Sequence, residues 1–453
     1  MADQGARPNI LFFHVDNLGL GELGCYGGGV VRGADTRRID AFSREALQLR
    51  HYIAEPQCTP SRSALMTGRH AIRSGNHTVA SGLIKGGIVA WERTMGDILS
   101  EAGYATACHG KWHIGAEDGR WPTDHGFDEW FGPPRSYAEC AWPDDPWYRP
   151  ERDTPVYMLE GTKAGGVAER KDLQMTMDLK RNVDAEYMRR GESFVRRSVA
   201  AGKAFYLYFN HSLMHWPTLP RPEFTGKSGN GDWADCLLEL DHDFGRMLDL
   251  LGELGVADNT IVVFAGDNGA EDKLLWRGSP GVFEGSYFTS SEGGLRTPCL
   301  IRWPGQVVPD RVSNEMVHQV DMFTTLLRWV GCDIPTDRVI DGLDQRAFFE
   351  GKTAESAREG CLVWLKDVLH GVKWRNFKYM YIRQQYQDEP AEHLSTPHVI
   401  NLMTDPKERE AHNQVFLHSW VGAHARRLLD EFKASVAREP LIPAGSPVDH
   451  RPV

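Results

Sequence analysis

The sequence predicts an α/β protein: a large, mostly parallel sheet sandwiched by helices, with a smaller C-terminal α+β subdomain. Three observations carry this. Four apolar runs of strand length, at 9–15, 104–108, 205–209 and 260–265, read as strands buried on both faces. Segments of helical spacing lie between them, at 40–49, 94–102, 184–200 and 233–254. The composition then shifts near Gly351. Beyond it, 361–365 and 378–383 look like antiparallel strands, and 420–436 like a closing amphipathic helix. The chain is divided accordingly into 1–350 and 351–453.

Each apolar run leads straight into polar residues. The first ends at Asp16-Asn17, the second at Lys111-x-His113, the third at His211 and His215, and the fourth at Asp267-Asn268. Open α/β sheets gather ligands at the carboxyl ends of their strands. Four distant segments therefore deliver metal- and anion-binding groups to one edge. Residues 133–155, rich in Pro, Trp and Asp, read as a long loop or lid. Trp112, Trp121, Trp130, Trp142 and Trp147 crowd this region, either lining a pocket or filling the core of the lid.

The bulk numbers narrow the function. The chain has 453 residues, 41% of them apolar, and a net charge of −11. That acidity argues against nucleic acid as a partner, because phosphate contacts need clustered Lys and Arg. An anion site must then be a local basic pocket in an acidic body. No apolar run is long enough to span a bilayer. The first nine residues hold no apolar core of a leader, so a cytoplasmic protein is expected. The eight cysteines are scattered without a Cys-x-x-Cys pair, against a zinc site or a disulfide scaffold. The oligomeric state is left open, a homo-oligomer included.

Asp16, Asn17, Asp267 and Asn268 offer only oxygen, which suits Ca²⁺ or Mg²⁺ rather than zinc. Asp-Asn dipeptides are also common in turns. At the ends of adjacent parallel strands they favour one divalent ion. Cys58-Thr59-Pro60-Ser61-Arg62 precedes the apolar run Ala64-Leu65-Met66. Thr59 can cap a helix and Pro60 suits its first position, which puts Cys58 at a helix N-terminus favouring an anion. Arg62, one turn on, can point at the same spot. From these residues alone, Cys58 is either a low-pKa nucleophile or a small core residue.

Cys58-x-Pro60-Ser61-Arg62 followed by Leu65-Met66-Thr67-Gly68 resembles the signature of type I sulfatases, in the alkaline phosphatase superfamily. Gly103-Tyr104-x-Thr106 through Gly110-Lys111-Trp112-His113 resembles the second signature, departing at His109, where a small apolar residue is usual. His215-Trp216-Pro217 matches the family's His before Pro. Glu292-Gly293-Gly294-Leu295-Arg296-Thr297-Pro298 matches its Glu-Gly-Gly-x-Arg-x-Pro segment. Gly126-Phe127-Asp128 and Asn401-Leu402-x-x-Asp405-Pro406-x-Glu408 resemble structural motifs, so the likeness runs from Asn9 to about Asn413. Two positions depart. Asn17 stands where a second aspartate is usual, and Tyr287 where many relatives carry a sulfate-binding lysine. One carboxylate and one ammonium are thus exchanged together, which would keep the local charge sum roughly constant.

The resemblance implies an alkaline-phosphatase-like fold and hydrolysis of a sulfate monoester. A formylglycine-generating maturation enzyme would convert Cys58 to Cα-formylglycine, whose hydrated aldehyde is the nucleophile and forms a covalent sulfo-enzyme. Arg62, Lys111 and the metal (Asp16, Asn17, residue 58, Asp267, Asn268) would hold the sulfate, with Tyr287 at a substrate-binding position. His215 would protonate the leaving oxygen. His113 would help break down the intermediate, and His211 would stand behind. The alternatives are a phosphodiester or phosphonate monoester hydrolase on the same scaffold, and a non-catalytic or phosphomutase-like relative that keeps the thiol.

Overall fold

The computed structural model describes residues 7–79, 86–384, 386–387, 389–411 and 415–452. Residues 1–6, on which the reading of the chain's start rests, and Asn413, where the family likeness ends, lie outside them. One ten-stranded sheet organises the large part of the chain. Its centre is five parallel strands in the order Thr260–Gly266, Asn9–Val15, Phe205–His211, Ala105–Gly110 and Glu129–Gly132. The expected strands fall on four of these. In register, Val15 lies beside both His211 and Gly266, and Gly110 beside Asn210. The carboxyl ends of four strands are therefore level, and the residues after them open onto one edge.

Both flanks of the sheet turn antiparallel. Cys299–Arg302 runs against Thr260–Gly266, and the hairpin Tyr157–Thr162/Gly166–Gln174 closes the opposite edge. That outer strand is charged and mostly solvated, which protects an edge from pairing with other chains. One expected helix is corrected. Residues 40–49 do not form a single helix: Arg37–Ser43 is helical and Leu47–Leu49 is a strand between Cys299–Arg302 and Arg311–Ser313. Ile39, Phe42, Ala46 and Leu49 mimic a helical stripe, but pairing on both edges overrides it.

Helices cover both faces and bury separate cores. Met177–Ala200 and Asp232–Glu253 pack one face around Phe13, Phe209 and Phe264. Cys58–Thr67, Met95–Glu101 and Gln319–Trp329 pack the other around Phe12, Tyr208 and Val263. Alternate residues of each central strand feed alternate cores, which is why those strands read as unbroken apolar runs. Met177–Ala200 begins earlier than its periodicity suggests because Thr176 caps it, accepting from the Leu179 N–H at 3.0 Å.

The C-terminal part is an antiparallel sheet in the order Gly360–Leu365, Val368–Trp374, Phe377–Arg383 and Glu392–Asn401, backed by the helix Val421–Arg438. Glu292 joins it to the large part. Its buried carboxylate meets Arg296 and, from the small sheet, Lys373 and Lys378. The tail beyond the last helix returns to the large part, where Ile442 N–H reaches Arg73 O and Arg120 reaches Ser446 O. Among the described residues no helix is long and apolar enough to cross a membrane.

Candidate active site

Cys58 is the first residue of the helix Cys58–Thr67, with Gln57 as N-cap. Thr59 is therefore not the cap, and its buried hydroxyl has no partner. Pro60 still falls within the first turn, where its missing N–H leaves no helical bond unmade. The Cys58 Sγ lies 3.2 Å from His113 Nδ1 and 3.4 Å from the Tyr287 hydroxyl. His113 holds a left-handed backbone, φ 63°, unusual for a residue with a Cβ and a form of strain found at functional sites. Its other nitrogen, Nε2, is 3.5 Å from Glu139 Oε1.

Behind this pair lies a buried charge cluster. Lys111 Nζ donates to Asp16 Oδ2 at 2.8 Å. Arg62 donates from Nε and Nη2 to Asp267 Oδ2, at 3.1 and 2.8 Å, and from Nη1 to the Lys111 carbonyl and Asn210 Oδ1, both at 2.7 Å. The guanidinium is thus committed to fixing Asp267 and the Lys111 backbone. Asn17, φ 62°, donates its backbone N–H to Asp267 Oδ1 at 3.0 Å and its side-chain amide to Glu271 Oε2 at 2.9 Å. Asn268 Nδ2 donates to Asn17 Oδ1 at 2.7 Å.

The donor set fits a hard divalent ion. Asp16 Oδ1 and Asn268 Oδ1 are buried acceptors without any hydrogen-bond partner. Two orphaned oxygens beside two carboxylates are costly unless a cation joins them. A second cluster, Glu55, His70 and His318, also brings three donor atoms within 4.8 Å of one another. There His318 Nδ1 accepts from the Val320 N–H at 3.3 Å, which leaves the ring proton on Nε2, the nitrogen facing Glu55. That lone pair is then spent, and the cluster suits a shared proton rather than an ion.

Electrostatics sorts the titratable groups. Burial pushes Asp16 up, but Lys111, His215 and Arg62 hold it well below the usual carboxylate range. Burial and Asp16 push Asp267 up to about 6 against Arg62. Burial raises the Cys58 thiol, yet Lys111 and His113 bring it below its usual value. His113 answers in the other direction: burial lowers it and the Cys58 charge raises it. Burial takes His215 down to about 3. Its Nδ1 donates to the Trp216 carbonyl at 2.6 Å, so its Nε2 accepts from Ser136 Oγ at 3.0 Å. His211 stands apart between Asp243, at 3.4 Å, and Asp184, at 3.9 Å.

Of the ten residues singled out in the sequence for this site, eight follow the strand ends at one sheet edge or lie on the helix facing it, His215 lies four residues past its strand end, and Tyr287 reaches residue 58 from the loop before Glu292–Leu295. Four neighbours escaped the sequence reading: Asn210, Glu271, Ser136 and Glu139. Glu271 had a usable signal, four residues past Asp267 on the same segment. Ser136 and Glu139 lie in the 133–155 loop and had none. Lys273 bonds Gln387 at 3.3 Å and does not replace the absent lysine. Trp112, Trp130 and Trp142 are buried, Trp121 stacks on Trp130, and Trp147 is solvent-exposed. A cleft opens beside residue 58, lined by Thr59, Asn76, His113 and Arg135 among others.

A family model described as Sulfatase matches residues 8–332, and one described as N-sulphoglucosamine sulphohydrolase, C-terminal, matches residues 281–411. The N-acetylgalactosamine-6-sulfatase of Canis lupus familiaris is 36% identical over 74% of this chain, which spans 65% of that relative's length. The steryl-sulfatase of Mus musculus is 32% identical over 98% of this chain and 80% of its own. Among solved structures, the PsFucS1 sulfatase from Pseudoalteromonas sp. superposes with a TM-score of 0.88 at 29% identity, covering 97% of this chain and 93% of that one. The Sulfatase match takes in Asp16, Cys58, Lys111, His215 and Asp267, and the chain belongs to the type I sulfatase family.

Proposed function

We propose that this protein hydrolyses sulfate monoesters, most naturally those of sugars, to the free alcohol and sulfate. The observation that carries this is the setting of residue 58. It begins a helix, touches His113 and Tyr287, and faces the Lys111–Asp16 and Arg62–Asp267 pairs. Lys111 and the helix N-terminus supply positive charge to a sulfate at that spot. Arg62 acts as a positioning group, since all its bonds go to protein. The relatives' names state both a sugar ester, in the N-acetylgalactosamine-6-sulfatase of Canis lupus familiaris, and a sterol ester, in the steryl-sulfatase of Mus musculus; the sugar reading follows the more similar of the two, at 36% against 32% identity.

Asp16, Asn17, Asp267 and Asn268, with residue 58, would hold one divalent ion, Ca²⁺ or Mg²⁺. Bound there, it would polarise the sulfate oxygens and offset their charge. Residue 58 would serve as formylglycine, after action of a maturation enzyme. The hydrated side chain supplies two hydroxyls, one to attack sulfur and one whose proton must leave. Without a thiolate, the largest influence that raises His113 is gone while burial and Lys111 still lower it against Glu139, which favours a ring able to accept that proton. His215 is neutral with a free Nε2 lone pair apart from Ser136. Sulfate beside it raises its proton affinity and readies it for the leaving oxygen.

Steady-state rates on 4-nitrophenyl sulfate and bis(4-nitrophenyl) phosphate test this, on protein shown by peptide mass to carry formylglycine at 58. A large preference for the sulfate is expected. A large preference for the diester would move the assignment to a phosphodiester hydrolase.

A further inference from the structure

Glu139 belongs to none of the motifs that mark this family in the sequence, yet it sits at the end of a line through the site. Cys58 Sγ meets His113 Nδ1 at 3.2 Å, and His113 Nε2 faces Glu139 Oε1 at 3.5 Å. Both Glu139 oxygens are buried and complete no hydrogen bond, His113 Nε2 at 3.5 Å being the nearest basic nitrogen to them. Arg135 approaches no nearer than 3.9 Å. A sequestered carboxylate with an imidazole as its nearest cation-forming neighbour needs that imidazole's N–H. His113 is itself buried, its ring enclosed between residue 58 and the loop that carries Glu139.

Resting on the function proposed above, we propose that Glu139 is a positioning residue that selects the working tautomer of His113. A neutral imidazole has one N–H and one lone pair, and the bond made by one nitrogen decides which it keeps. Glu139 accepts only. The proton therefore stays on Nε2, and the lone pair on Nδ1 points at residue 58. That tautomer can take a proton from a hydroxyl there. The other would present an N–H to it and could not. The separation of 3.5 Å is long, as such contacts often are in a site without its substrate. Nucleophile, imidazole and carboxylate thus form a line in which the third member orients the second.

Two readouts test this. The first is the ¹⁵N shift of His113 in histidine-labelled Cys58→Ser protein, which removes the thiolate and needs no turnover. Nδ1 is expected unprotonated in that background, with the signals moving toward the opposite tautomer or a mixture in Glu139→Leu and staying put in Glu139→Gln, whose amide oxygen still accepts. The second is the time course of 4-nitrophenyl sulfate hydrolysis by matured enzyme. Glu139→Leu should lower kcat about 10–100-fold, lower KM with it, and add an initial burst of nitrophenol, because only the later proton transfer is slowed. Glu139→Gln should restore most of the rate, and Glu139→Leu in a His113→Ala background should add nothing. An unchanged tautomer in Glu139→Leu, or a loss that is additive with His113→Ala, overturns the proposal. Inactive wild-type protein with the expected tautomer shift would count against the sulfate reading and leave Glu139's role standing.

Discussion

Asn17 donates its side-chain amide to Glu271 at 2.9 Å, and Glu271 is buried four residues beyond Asp267 on the same segment. The carboxylate absent from the first Asp-Asn pair is therefore present in space, one amide away. Burial raises Glu271 above its usual value, against the bonds it accepts from Asp272 and Asn17. Asn17→Asp would place a second acceptor against Glu271 with no proton donor between them. It should destabilise the metal-free protein by about 1–3 kcal/mol. Adding Glu271→Gln restores the pair with its direction reversed and should recover most of the loss. Thermal unfolding of the two single variants and the double variant, in EGTA, checks this. Additive losses would show that the two residues do not depend on one another.

Tyr287, at the position where the resemblance to the family expects a lysine, places its hydroxyl 3.4 Å from residue 58. Its proton is held firmly, since burial and the Cys58 charge raise the phenol far above its ordinary range. Tyr287→Phe should lower kcat about tenfold without loss of stability. Tyr287→Lys adds a buried cation beside Lys111 and His113 where Asn17 has already removed a negative charge. It should also lower turnover. A strong rise in sulfate hydrolysis with Tyr287→Lys would refute the idea that the two exchanges compensate.

The central strands were legible because burial on both faces writes them as unbroken apolar runs, and the polar residues that follow mark the functional edge. Leu47–Leu49 was not legible, since a strand of three residues carries no period of its own and its neighbours supplied a helical one. Val368–Trp374 and Glu392–Asn401 were missed as well. In the first, Lys373 points inward to Glu292, so inward and outward residues do not alternate in polarity; the second is exposed or half-buried except at Val399 and Ile400 and carries no apolar period. In the site, residues after strand ends were found and residues of the 133–155 loop were not. A loop side chain gains its role from where the chain folds back, which neither spacing nor composition records.

His113 and His211 are both buried imidazoles near acidic groups, but only His113 touches residue 58. His113→Asn should lower kcat by 10²–10⁴, about the usual worth of a positioned proton acceptor, with the folded fraction unchanged. His211→Asn should do the reverse. It removes one neighbour of Asp184, which keeps Ser212, and of Asp243, which keeps Arg221; it lowers the unfolding temperature and leaves kcat per folded molecule within about threefold. Circular dichroism alongside active-site titration separates the two. Equal losses of kcat from both would place His211 in the reaction.

Asp341 helps tie the short helix Ala71–Ser74, which follows Cys58–Thr67, to the C-terminal part. Its carboxylate takes two bonds from Arg73, at 2.7 and 2.9 Å, and one from the His70 N–H at 2.8 Å. Arg73 also donates to Ser435 Oγ at 2.7 Å and lies over the Phe432 ring of the last helix. Burial pushes Asp341 up, but His70 and Arg73 outweigh it and bring the group down to about 2. An acid with a depressed folded-state value stabilises the fold above its unfolded value near 4, and that contribution disappears as pH falls toward 2. Asp341→Asn should therefore cost about 2 kcal/mol at neutral pH. The gap between wild type and variant should close between about pH 4 and pH 2. Urea midpoints across that range measure it. A gap that persists unchanged at pH 2 would mean that shape and packing at position 341, rather than its charge on Arg73, hold this junction.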